Sequence, residues 1–194
     1  MKKEVFLSLI VIFMALSGCQ SDSQEKAGVS DDYLQKVEKF RENKDAFFKN
    51  NQQSPIPAGE RNSFEGLAYY SPDPDYRIKG TYEPYSEPEK RGGRMLAVGR
   101  LSFSLKGKEL DLEVWSSRDS EQLSVMFTDP TNKDETYKAG RYLELQRDLD
   151  GSFIIDFNRA YNPYCHYNPI YDCPLPPREN HIPIPVKAGE KRLD

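Results

Sequence analysis

The last third of the chain gathers the side chains that could do chemistry. Cys165, His166, Cys173 and His181 are thiols and imidazoles, the ligands zinc prefers. Their spacing is that of no zinc knuckle, and His166 directly follows Cys165. A disulfide between Cys165 and Cys173, with two incidental histidines, is therefore preferred over free thiols or a metal site, and no cofactor is expected. A nucleophilic Cys165 activated by a nearby histidine would need a reduced thiol. Glu135, Asp156, Glu179 and Glu190 supply carboxylates, and two of them facing one another across a cleft could act as acid and base, as in glycoside hydrolysis. In the alternative account Asp156 and Glu179 accept hydrogen bonds from loop backbone, with Arg141 as a salt-bridge partner. Asn158, Asn162 and Asn180, with Tyr137, Tyr142, Tyr161 and Tyr167, form a polar-aromatic set suited to a sugar or peptide: ring faces stack while amides and hydroxyls orient the polar groups. Against this, asparagines and tyrosines also buttress turns through bonds to backbone.

A third cysteine has a different role. Lys2 and Lys3 precede an apolar run from Val5 to Leu16, too short to span a bilayer comfortably, and small residues lead into Cys19 in Leu16-Ser17-Gly18-Cys19. This is the pattern of a bacterial lipoprotein: a signal peptide over 1–18, then a diacylglyceryl thioether on Cys19. Each buried methylene contributes about 0.8 kcal/mol, so two or three acyl chains, palmitate among them, anchor a protein stably. The expected location is the cell envelope, lipid-anchored on the outer membrane or a periplasmic face. Residues 19–29 are polar and without apolar periodicity, as in a flexible tether.

The elements that must position these residues follow from patterning. With 194 residues, removal of the leader leaves enough chain for one domain, placed at 30–194. The net charge is −4 and no basic stripe occurs, which argues against a nucleic-acid partner. Ser30 is a good helix cap, and Tyr33, Leu34, Val37, Phe40, Lys44, Phe47 and Phe48 recur at three-to-four-residue spacing. That predicts one amphipathic helix ending near Asn50, stopped by Ser54-Pro55-Ile56-Pro57. Beyond Ser71-Pro72-Asp73-Pro74 the period becomes two. Strands are expected over Tyr76–Tyr82, Met95–Leu105, Glu109–Ser116, Gln122–Thr128, Arg141–Gln146 and Ser152–Phe157, with hairpin turns at Lys106-Gly107-Lys108 and Asp150-Gly151. Without βαβ alternation, the fold class is mainly β: an antiparallel sandwich or barrel-like sheet with one N-terminal helix. Seven of the 14 prolines lie between Pro163 and Pro185, so the tyrosine-rich C-terminal segment is expected to be irregular, with a last edge strand at Ile182–Val186. Trp115 is expected in the core.

Several runs carry a family likeness: Arg41-Glu42-Asn43-Lys44-Asp45 before Phe47-Phe48, Phe64-Glu65-Gly66-Leu67-Ala68-Tyr69, and Glu135-Thr136-Tyr137 with Gly140-Arg141-Tyr142-Leu143. The run from Asp156 to Cys165 continues it, as do Cys173-Pro174-Leu175-Pro176-Pro177, Glu179-Asn180 and Ala188-Gly189-Glu190-Lys191. Together they resemble the domain of unknown function 1684 family, bacterial proteins that include lipoproteins, from roughly Asp32 to the C-terminus. The resemblance implies a single compact domain and directs attention to the motif residues, but supplies no reaction.

Three functions are compatible with these residues. A membrane-anchored extracytoplasmic domain that binds a small molecule, sugar or peptide ranks first. An envelope hydrolase using Glu135, Asp156 and Glu179 follows, and then a structural envelope lipoprotein. The absence of a Ser-His-Asp signature, an HExxH helix or a nucleotide loop weighs against the common enzyme types.

Overall fold

The structure, a computed structural model, describes residues 22–92, 95–118 and 122–193. The signal peptide expected over 1–18 and the expected lipidation site Cys19 lie outside the described residues. Helix α1 spans Asp22–Asn50, beginning upstream of Ser30, through a stretch that includes the good helix formers Gln24, Glu25, Lys26 and Ala27. Seven strands follow: β1 Arg77–Gly92, β2 Met95–Leu105, β3 Lys108–Ser117, β4 Leu123–Phe127, β5 Arg141–Glu144, β6 Gln146–Arg147 and β7 Phe153–Asp156. All pair antiparallel, in the order β5-β4-β3-β2-β1-β7-β6.

The edges of this sheet are consecutive in the chain. β5 pairs with β4 and β6 with β7, with only Leu145 between them, and the Leu145 amide donates to Leu123 O at 2.9 Å. One bent segment thus joins both edges, and the sheet curls into a nearly closed barrel, which removes the exposed edges an open sheet would leave. The expected single strand Arg141–Gln146 is in fact split at this bend.

Local chemistry accounts for the strands. On β2, Leu101, Phe103 and Leu105 are buried while Arg100 and Ser104 are exposed, the two-residue alternation of a half-buried sheet. Lys106 (φ 50°) and Gly107 (φ 75°) turn the chain into β3 in the left-handed region that tight two-residue hairpins require. β1 runs further than expected and contains Pro84 and Pro88. Its pairing with β7 ends at Gly80 and its register with β2 shifts between Pro84 and Glu89, so proline is tolerated there. Inside the barrel Leu101, Leu112, Val125, Phe127, Leu143 and Phe157 form the core, and Trp115 is buried.

Among the described residues no regular strand follows β7. Ile182–Val186 is not an edge strand: only Thr128 and His181 make an isolated bridge, and Val186 N donates to an aspartate side chain, Asp129 Oδ2, at 2.8 Å. Pro183 and Pro185 lack the N–H groups a ladder needs. Instead the segment is clipped by side chains. Asn180 donates to Glu113 O (2.9 Å) and Met126 O (2.8 Å) and accepts from Glu113 N (2.7 Å), pinning it across β3 and β4. A second apolar cluster of Phe48, Ile56 and Phe64 docks α1 beside this segment, with Phe48 edge-on to Tyr167 at 5.0 Å.

Candidate functional site

Two of the predicted polar-aromatic residues, Tyr142 and Tyr161, line a cleft of ≈ 490 Å³ between α1, β5 and the C-terminal segment. Period-two geometry explains its floor. Arg141 and Leu143 point into the barrel, so Tyr142 and Glu144 point out, on one face. Phe40 and Lys44, four residues apart on α1, share a helix face and form one wall. Tyr164, Tyr171 and Asp172 form the other. The chain returns to β5 through a reciprocal pair of backbone bonds between Tyr142 and Tyr161, each 2.9 Å, and their rings meet edge to face at 5.9 Å. Tyr164 and Tyr171 form a second edge-to-face pair at 5.3 Å. The Tyr142 hydroxyl donates to Pro174 O, fixing the far rim.

Behind this wall is a buried charge network. Glu190 is 1% exposed and accepts from Lys44 Nζ, from Tyr167 Oη at 2.6 Å and from Asn162 N at 2.8 Å. Burial and the adjacent Glu190 carboxylate push the Tyr167 hydroxyl well above the usual phenol range. Gly189 presents Glu190: its φ is +77°, and a Cβ there would stand 2.5 Å from Ala160 O. Only glycine fits. Lys44 Nζ also lies over the Tyr161 ring, 4.6 Å from its centroid.

Other predicted residues hold the architecture. Arg141 is fully buried and donates to Asp129 Oδ1 (3.1 Å), Val186 O (2.8 Å) and Ala188 O (2.5 Å), tying β5 to the C-terminal segment out of a ligand's reach. Asp129 also caps the following 3-10 turn at Pro130–Lys133. Asp156 accepts from Tyr33 Oη at 2.6 Å and from Asn158 N at 3.2 Å. Buried Asn158 spans Tyr33 Oη and the backbone of Asp73. Asn162 donates to Lys191 O at 2.9 Å. Glu135 pairs with Lys187 at 3.2 Å, and Glu179 is exposed. Glu135 and Asp156 have separate partners, and none of the three carboxylates Glu135, Asp156 and Glu179 lines the cleft.

Cys165 and Cys173 are adjacent free thiols, the Cys165 amide donating to Cys173 Sγ at 3.2 Å. Tyr137 Oη lies 4.0 Å from Cys165 Sγ. Burial and the Cys165 side chain push the Cys173 thiol up to about 11. His166 Nε2 accepts from Leu193 N at 3.2 Å, and burial lowers its pKa. His181 Nδ1 meets Thr128 Oγ1 at 3.0 Å. Among the described residues no group of three or more His, Cys, Asp or Glu side chains could hold a metal ion, and no helix is long and apolar enough to cross a membrane.

Sequence reasoning missed Phe40, Lys44, Glu144, Tyr164, Tyr171 and Asp172 as site residues. One signal was available: Lys44 falls on the apolar stripe of α1, where a lysine needs a buried partner.

Fold and cleft together define a small antiparallel barrel that carries an aromatic groove under an irregular C-terminal flap. A family model described as "Protein of unknown function (DUF1684)" matches residues 62–191, and the chain belongs to that family. It is similar to an uncharacterized protein of Haloarcula marismortui, whose solution NMR structure shares 40% identity over 84% of this chain and 96% of that one, with a TM-score of 0.67. A search of curated proteins finds no match.

Proposed function

We propose that this protein is a membrane-anchored extracytoplasmic binding protein that takes a small molecule with an apolar face and a polar rim, such as a sugar or peptide, in the cleft between α1, β5 and the C-terminal segment. The observation that carries this reading is the cleft itself. Its ≈ 490 Å³ fall within the range of small-molecule sites, and its walls are mainly aromatic with a few charged groups. The anchor is the lipid on Cys19, which places the domain at the bacterial cell envelope. The scattered positions of Glu135, Asp156 and Glu179 lend no support to a two-carboxylate hydrolase.

Thermal denaturation of the full chain in neutral detergent, against panels of saccharides and short peptides, tests the binding reading. A ligand at a hundred times its dissociation constant adds about 2.7 kcal/mol to the native state, a rise of several degrees in midpoint, and Tyr171→Ala abolishes the rise. A panel with no shift contradicts the reading. The anchor is tested separately: radiolabelled palmitate enters the wild-type chain and not Cys19→Ser, and equal labelling of both contradicts it.

A further inference from the structure

Resting on the cleft as a binding site, we infer that its ligand is an organic cation: an ammonium group carried on an apolar body. Five aromatic side chains, Phe40, Tyr142, Tyr161, Tyr164 and Tyr171, line the space. The face of an aromatic ring is the negative end of its quadrupole and attracts ammonium groups within about 6 Å. The protein already uses this surface in that way, because Lys44 Nζ rests 4.6 Å from the Tyr161 centroid and 5.3 Å from that of Phe48.

The charges around the cleft point the same way. Lys44 is matched by buried Glu190 behind the wall. Arg159, the neighbouring cation, lies over Phe40 at 4.8 Å and is paired with Asp156 at 3.6 Å. That leaves Glu144 on the floor and Asp172 on the rim, both exposed lining residues and neither in an ion pair among the described residues. A cation would meet aromatic side chains and two carboxylates that no cation neutralises among the described residues, Glu144 being hydrogen-bonded only by the Tyr161 hydroxyl. An anion would meet the same carboxylates and be repelled, and a neutral ligand would gain hydrogen bonds from them but no charge attraction.

Three probes of one shape separate charge from fit: choline, its neutral isostere 3,3-dimethylbutan-1-ol, and the anion 3,3-dimethylbutanoate. Each is titrated by ligand-observed NMR into the full chain in polyoxyethylene detergent. Choline is expected to bind about tenfold or more tighter than the alcohol, and the carboxylate to bind weakest. Glu144→Gln and Asp172→Asn, both at exposed positions, each weaken choline about threefold or more without changing the alcohol. Equal binding of choline and the alcohol, both lost in Tyr171→Ala, overturns the cation preference and leaves the binding cleft standing. No binding by any of the three, together with a silent saccharide and peptide panel, overturns both.

Discussion

Glu190 sits where three segments meet, and each depends on its two oxygens. Lys44 reaches it from α1, Asn162 from the start of the proline-rich segment, and Tyr167 from within that segment. Removing one partner of a buried ion pair costs about 3–5 kcal/mol because the other charge is left without compensation. Glu190→Gln is therefore expected to lower unfolding free energy by that order, read by urea denaturation of the full chain; a loss below about 1 kcal/mol, the ceiling for an exposed pair, contradicts the assignment. Cys173 gives a pH-dependent test. With its thiol raised to about 11, it is almost wholly protonated at neutral pH, and the thiolate is the reactive form. Alkylation of Cys173 in the folded chain, followed by mass spectrometry, is expected to be slow at neutral pH and to quicken as pH rises toward that value. Fast labelling at neutral pH contradicts it.

Helix α1 is held at its C-terminal half by Phe48, which is 1% exposed and contacts the rings of Phe64, Tyr164 and Tyr167. Phe48→Ala is expected to cost about 3–5 kcal/mol of stability and to loosen both walls of the cleft, since Phe40 and Lys44 ride on the same helix. Unchanged denaturation and unchanged ligand affinity would show that the helix is held elsewhere. The elements themselves were largely legible in the sequence. Alternation in Leu101-Ser102-Phe103-Ser104-Leu105 and the Lys106-Gly107 turn are local signals, and they place β2 and β3 to within a residue. Ile182–Val186 misled because its isoleucines alternate like a strand while its prolines remove the donors that would make one. The closing bend at Leu145 leaves no mark in the pattern, since burial alternates from Arg141 to Gln146 without a break.

At the scale of the molecule, the barrel brings together what the chain keeps apart. The cleft draws on Phe40 and Lys44, on Tyr142 and Glu144, and on residues from Tyr161 to Pro174, and no spacing rule links segments that distant. The same distance explains why the carboxylates of Glu135, Asp156 and Glu179 looked interchangeable in sequence: residue type gives the chemistry, while partners such as Lys187 or Tyr33 are set only by folding. Tyrosines were the better guide. Tyr142 and Tyr161 of the predicted set line the groove, the Tyr142 hydroxyl donating to Pro174 O.

The claim on which all of this turns is that ligand enters between α1, β5 and the C-terminal flap. Two-dimensional NMR of the full chain in neutral detergent, with tyrosine rings isotope-labelled and titrated with the tightest-binding member of the probe panels, tests it most directly. The account predicts that ring resonances of Tyr142, Tyr161, Tyr164 and Tyr171 shift and saturate together, while Tyr33 and Tyr76, hydrogen-bonded away from the cleft, stay in place. Saturable shifts confined to tyrosines outside the cleft, with those four unmoved, would contradict it.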